Sequence, residues 1–379
     1  MTRTRKFSPY GCLILICGMP WLASAQESNT TFRIFGHVDA TIEQEFGEQN
    51  SDFVLGEHDL FVQSKITPRI SVLSETIVGP TGTSGHGAAD YKVSIERARV
   101  KFQHREWLSL IVGKMHTPVN YWNDVYHHGR LFFPTIDRPR SFGTTIPIHT
   151  LGLRLQGQNI GALNFGYDLV IGNGLSSTDV SDGTLQKSMT AAIHIRPRER
   201  MRIGMSAYRD LIADNMVGSH AGHGTFHYMT GAPNWYRVDL DFELYCFSFH
   251  NMSDKWETLL ETTWNRTGLS DSNFPDPEGW LDSLNTLGTA NNFTLFLFAG
   301  RAINERDMIY GLVDLTDFEE RDLHIRSNRL AKFGLGWRRD FSALVNIKFQ
   351  AERYTGWEGY EVPKDDKWEL KFRVAYCLN

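Results

Sequence analysis

The sequence predicts an all-β fold: a transmembrane antiparallel β-barrel of about sixteen strands, fourteen and eighteen being the neighbouring even counts. Three observations carry this reading. Apolar and polar residues alternate with period two along most of the chain, as strand side chains must when the two faces meet different surroundings. Almost no stretch sustains a 3.6-residue period. Short links between the alternating segments take turns with long polar ones, the pattern of a barrel with tight turns at one end and loops at the other.

The N-terminus stands outside this pattern. Arg3, Arg5 and Lys6 precede an apolar run from Leu13 to Trp21 and then Ala23-Ser24-Ala25. That order reads as a signal peptide cut after Ala25 and exported through the Sec pathway, because the apolar run is too short to span a membrane as a helix. Residues 26–379 are read as one barrel domain. Cleavage removes three basic residues and no acidic ones, so the formal charge falls from −5 to −8. Cys246 and Cys377 remain, too few for a disulfide scaffold. No basic run marks a nucleic-acid partner, and no stretch of 18 apolar residues marks a membrane helix.

The strands follow in order. In 33–46, Val38, Ala40 and Ile42 oppose His37, Asp39, Thr41 and Glu43. Leu163, Phe165, Tyr167, Leu169 and Ile171 alternate with Asn164, Gly166 and Asp168, and Met189, Ala191, Ile193 and Ile195 with Ser188, Thr190, His194 and Arg196. In 236–249, Val238, Leu240, Phe242, Leu244 and Cys246 lie opposite Arg237, Asp239, Asp241 and Glu243. The pair 292–300 and 307–315 is irregular, its alternation broken by Phe296 and Phe298. Phe333, Leu335 and Trp337 alternate with Lys332, Gly334, Gly336 and Arg338; Val345, Ile347, Phe349 and Ala351 oppose Asn346, Lys348, Gln350 and Glu352; and Phe372, Val374, Tyr376 and Leu378 oppose Lys371 and Arg373.

Soluble sandwiches also alternate, so the connections choose the solvent. Short links at 67–69, 104–106, 251–254 and 339–342 take turns with long segments at 79–90, 117–148, 173–183, 210–235, 268–291 and 355–366. A buried sandwich core would leave the charges of the polar face unpaired, whereas a water-filled lumen solvates them. Aromatics make up 12% of the chain. Trp107, Trp256, Trp264, Trp337 and Trp368 fall at strand ends, where interfacial girdles form. The chain ends Tyr376-Cys377-Leu378-Asn379, three residues past its last aromatic, a variant of the usual aromatic barrel terminus.

The segment ERARVKFQHREWLSLIVGKMHTPVNYW joins a basic strand to one that ends in Gly113-Lys114 and Thr117-Pro118. Around residues 95–121 it resembles the phosphate-selective porin O and P family. That resemblance implies a sixteen-stranded, trimeric porin whose third long loop folds into the pore. Met115 and His116 depart from the family's aromatic and lysine, and the mature chain is acidic. Phosphate or anion selectivity is therefore not carried over.

Proline at 118 ends ladder pairing, and residues 117–148 are too rich in aromatics and charges for an inert surface loop. Arg97, Arg99 and Lys101 share the polar face of their strand and are expected to line the lumen. Glu43, Glu57, Asp59, Asp239, Asp241, Glu243, Glu257 and Glu261 are expected to face inward as well. Opposed rings of charge set up a transverse field; the alternative is a self-neutralising lining with no selective role.

With His116, Asp124, His127, His128 and Arg130, the basic residues Arg97, Arg99 and Lys101 are the candidates for shaping passage. Histidines at a constriction titrate near neutrality; hydrogen bonding that pins the loop to the wall is the other use for them. No metal site is read: His220, His223 and His227 have chelating spacing, but no cysteine or carboxylate completes them locally. No nucleophile motif supports an enzyme, and no C-x-x-C-H supports haem. The expected function is passive diffusion of small hydrophilic solutes or ions, with no cofactor, outer-membrane lipid and a homo-oligomer as partners, and no nucleic acid. Alternatives are a barrel dedicated to a metal ion or organic anion, or a non-conducting barrel with an enzymatic or partner-sheathing role.

Overall fold

A computed structural model describes residues 29–45, 48–80, 91–126, 129–182, 184–216, 237–270, 288–325, 329–356 and 367–379. The expected signal peptide, His127, His128 and the His220, His223, His227 group lie outside these residues. Sixteen strands are described: β1 (Asn29–Glu45), β2 (Glu48–Lys65), β3 (Ile70–Pro80), β4 (Tyr91–Arg105), β5 (Leu108–His116), β6 (His149–Ile160), β7 (Phe165–Gly172), β8 (Ser188–Arg198), β9 (Met201–Met216), β10 (Arg237–Met252), β11 (Trp256–Leu269), β12 (Ala290–Ala302), β13 (Asp307–Asp317), β14 (Leu330–Ser342), β15 (Val345–Gly356) and β16 (Lys367–Leu378). Each pairs antiparallel with its neighbours in sequence, and β16 pairs with β1 to close the barrel. No edge is left for another chain to extend.

The alternation sets the faces as expected on most strands. On β15, Asn346, Lys348, Gln350 and Glu352 turn inward, and Phe349 is exposed on the outside. On β8, Ser188, Thr190, Ala192 and His194 are buried, while Met189 and Ile193 face out.

β10 corrects the sequence reading. Its apolar face points inward: Val238, Leu240, Phe242, Leu244 and Cys246 are buried in one cluster with Val119 and Ile146 of the 117–148 loop and with Phe318, Leu323 and Ile325. Asp239, Asp241 and Glu243 therefore face outward, where Glu243 meets Arg266 at 3.7 Å. The physical reason is twofold. Inward-folded segments cover this wall, so its inner face needs apolar partners. A span needs only about 9–11 residues, so the loop end of the 16-residue β10 extends past the apolar band, where outward carboxylates stay hydrated. Glu57, Asp59, Glu257 and Glu261 do face the lumen, as expected. Phe296 and Phe298 point inward for the same reason as the apolar face of β10, onto the loop, which explains their broken alternation.

Gly113 shows why the strand before the loop carries a glycine three residues before its end. Its φ is +123°, and a β-carbon there would lie 2.2 Å from the carbonyl oxygen of Ala98. The backbone conformation alone costs a side chain of order 1–3 kcal/mol. Gly113→Ala should sharply lower the yield of heat-modifiable barrel on refolding. Gly311→Ala, whose β-carbon would meet nothing closer than 3.6 Å, should refold normally.

Candidate functional site

The loop leaves β5 through Thr117, whose amide hydrogen-bonds Ile148 O at 3.1 Å; Thr117 Oγ1 lies 2.7 Å from Thr150 Oγ1. Asn123 Nδ2 donates to Thr117 O (2.8 Å) and Ile148 O (3.2 Å), closing the neck. His116 is buried at this neck, its ring 5.4 Å from that of His149. A π-helical turn, Trp122–Tyr126, then carries the chain into the barrel.

From there the loop crosses to the far wall and satisfies its backbone on inward side chains, as a buried loop must. On β11, Glu261 accepts from the Trp122 amide and Glu257 from the Tyr126 hydroxyl, both at 2.7 Å. On β15, Asn346 Nδ2 donates to Leu131 O at 2.7 Å and Lys348 Nζ to Arg130 O at 2.6 Å, while Gln350 accepts from the Ile136 amide at 3.0 Å. Asp314 of β13 accepts from the Arg140 amide at 2.8 Å, and Arg373 of β16 donates to Ile136 O. Trp122, fully buried, packs edge-on against Phe133 and Phe296 at centroid distances of 5.2 and 5.5 Å.

At the tip, Lys371 Nζ of β16 lies 2.5 Å from Asp137 and 3.0 Å from Glu352, and also contacts Glu369. Ligand oxygens of those three carboxylates fall within 4.8 Å of one another, so the ammonium occupies the position a cation would take. Burial alone would raise the Asp137 carboxyl, but Lys371 and Lys332 hold it below its ordinary value.

The inner face of β2 to β4 is the least covered toward the short turns, although Glu75 of β3 and Arg154 of β6 are buried, whereas the wall of β9 to β16 is covered by the loop. Lys348 and Gln350 beneath it have no exposed surface, whereas Gln63 of β2 and Gln103 of β4 are exposed, and Arg99 and Lys101 of β4 are partly so. The inner face of β4 carries Arg97, bound to Glu75 at 2.7 Å, Arg99, and Lys101, which donates to Gln156 at 2.9 Å. The loop edge facing it carries Asp124, Arg130 and Arg138. Asp124 bridges Arg154 of β6 (3.4 Å) and Arg202 of β9 (2.8 Å). Burial opposes its charge, but the two guanidiniums hold its carboxyl well below the usual range. Arg130 and Arg138 share Glu57 of β2, at 3.2 and 3.7 Å. Burial and the neighbouring Arg130 bring Arg138 down to about 10, which leaves it charged at neutral pH.

The structure thus places Arg97, Arg99 and Lys101 on the inner face of β4 and Asp124 and Arg130 on the loop, and leaves His116 buried at the neck. Sequence reasoning missed Arg154 and Arg202, which fix Asp124. Arg154 was findable, since it alternates with Leu151, Leu153 and Leu155. Arg202 was findable in the same way, since it alternates with Met201, Ile203 and Met205. Asp124→Asn should leave Arg202 without its carboxylate and Arg154 with Asp168 alone, a net gain of one positive charge at this point. The expected outcome is a several-fold rise in chloride-over-potassium permeability, read as a shift of the reversal potential in a salt gradient.

No family model matches the chain, and no curated protein matches it. Solved structures do. The chain is similar to the anion-selective porin from Comamonas acidovorans (8% identity, 93% of this chain and 100% of that one, TM-score 0.62). It is also similar to the outer membrane channel DcaP of Acinetobacter baumannii (10%, 94% and 99%, 0.59). A third similar structure is in-vitro folded OmpT, an outer membrane protein of Vibrio cholerae, in its trimer form (9%, 92% and 99%, 0.55). At these identities the likeness is one of fold: a closed sixteen-stranded barrel of the outer-membrane type.

Proposed function

We propose that this barrel is an outer-membrane porin through which small hydrophilic solutes or ions diffuse passively, with no catalytic step and no cofactor. One observation carries the reading: the backbone of the 117–148 loop is seated on one wall, and only its charged side chains reach across to Glu57 of β2 and Arg154 of β6. A plug would satisfy its polar groups all round the lumen. Here the backbone groups of the loop are spent on β9, β11, β13, β15 and β16, and charged side chains face charged side chains across the remaining gap. Such a gap stays wet, because emptying it of water would leave those charges unsolvated.

Passage then runs along Arg97, Arg99 and Lys101 on one side and Asp124, Arg130 and Arg138 on the other. Basic groups outnumber acidic ones there, so the pore is mildly anion-preferring although the mature chain as a whole is acidic. Membrane insertion through the outward apolar band, export by the N-terminal leader, and a trimer like that of the Vibrio cholerae protein belong to the same reading.

The test is single-channel recording of the refolded mature protein in a planar bilayer under a salt gradient. Discrete conductance steps with a reversal potential on the anion side are expected. Silence from protein that is folded by its heat-modifiable migration would overturn the reading.

A further inference from the structure

Beneath the loop, toward the short turns, β2, β3 and β4 enclose a polar cavity of about 260 Å³ lined by Gln63, Ser71, Leu73, Arg99, Lys101 and Gln103. Register places Gln63, Leu73, Arg99 and Gly113 in one inward row, and Ser71 and Lys101 in another. Gly113 contributes no side chain beside Arg99, so the adjoining strand does not fill the space over the guanidinium.

The basic neighbours are committed: Arg97 to Glu75, Arg154 to Asp168 and Asp124, Arg202 to Asp124, and Lys101 to Gln156. Among the described residues, no oxygen accepts a hydrogen bond from Arg99. A fork of guanidinium donors with an ammonium two residues away on the same face matches a carboxylate, and charge assistance makes those bonds the strong ones. Two glutamine amides and a hydroxyl, each able to donate and accept, surround the remaining space and match alcohol groups. The volume is far more than a bare ion needs and just under the roughly 300–1,000 Å³ of drug-sized ligand sites. Two like positive charges exclude a metal cation, and since Gln156 is neutral, a neutral sugar would leave both charges without a counter-charge.

We infer that this cavity binds a hydroxylated organic carboxylate, a sugar acid or hydroxy acid, on the near side of the constriction; the inference rests on the barrel being a channel. In bilayer recordings, gluconate added on either side should block chloride current at a concentration at least about tenfold lower than acetate or inorganic phosphate, with glucose inert. Arg99→Gln should raise the half-blocking gluconate concentration by about tenfold or more, the loss of one charge-assisted contact. Arg105→Gln, at the exposed turn, should leave it unchanged. Gluconate blocking no better than acetate, phosphate matching gluconate, or an unaltered block in Arg99→Gln would each overturn the inference while the channel reading stands. If folded protein gives no conductance at all, the channel reading fails instead. Calorimetry of gluconate with the detergent-folded barrel then decides the site: binding that is lost in Arg99→Gln supports it, and no binding overturns it.

Discussion

Trp122→Ala leaves the barrel folded and raises its single-channel conductance, with added flicker, because the loop loses its largest anchor. Trp122 is fully buried among Tyr126 and Phe133 of the loop and Leu259, Phe296 and Phe298 of the far wall. Truncating a buried tryptophan costs about 3–5 kcal/mol. Little of that falls on the barrel, whose sixteen strands are held by their own ladders, so the cost falls on loop docking. The remaining backbone contacts at Glu261 and Gln350 keep the loop partly seated, hence flicker rather than a uniformly wide pore. Protease readout separates this from general unfolding. Trypsin should cut after Arg130 or Arg140 in the variant while the strands stay protected. A conductance equal to that of the parent, with the loop still resistant, would remove Trp122 from this role.

Lys371→Met has the second large effect, and its pH dependence has a definite sign. Removing one partner from a buried ion-pair group costs about 3–5 kcal/mol, and here three carboxylates lose a shared counter-charge. Asp137 is expected to leave Glu352 and Glu369, opening the loop tip at neutral pH. In the parent protein, the carboxyl of Asp137 is held below its ordinary value. Its contribution is therefore fully present above the unfolded value of about 3.9 and is lost only as pH falls through the lower folded one. Acid thus loosens the parent loop only well below pH 4. The variant behaves oppositely: acidification toward pH 4–5 protonates the crowded carboxylates and re-seats the tip. Trypsin susceptibility of the loop after exposure across this range reads both trends. Parallel pH profiles for the two proteins would contradict the assignment.

What the sequence made legible follows from where water reaches. On β4, β15 and β16 the inner face meets water or charged loop groups, so charge alternates cleanly with apolar residues and both faces can be read. On β10 and β12 the inner face is covered by chain, so Leu240, Phe242, Phe296 and Phe298 occupy lumen positions and the same rule points the wrong way. Pro118 announced the end of β5 through local backbone chemistry, and Gly113 marked a close approach within it. The path of the loop was not legible in detail, because its partners stand far along the chain: Trp122 with Glu261, Asp137 with Lys371. Nothing local selects one wall over the other.

The central claim is that the loop covers the β9–β16 wall and leaves the inner face of β2 to β4 around Arg99 to the passing solute. The most direct measurement is charged-thiol accessibility during conduction, with Cys246 and Cys377, both buried, replaced by serine. A cysteine at Arg99 should react with a negatively charged methanethiosulfonate and change the current within the recording. A cysteine at Gln350, beneath the loop, should stay unmodified. Modification at 350 with protection at 99 would put the passage on the other wall and contradict the account.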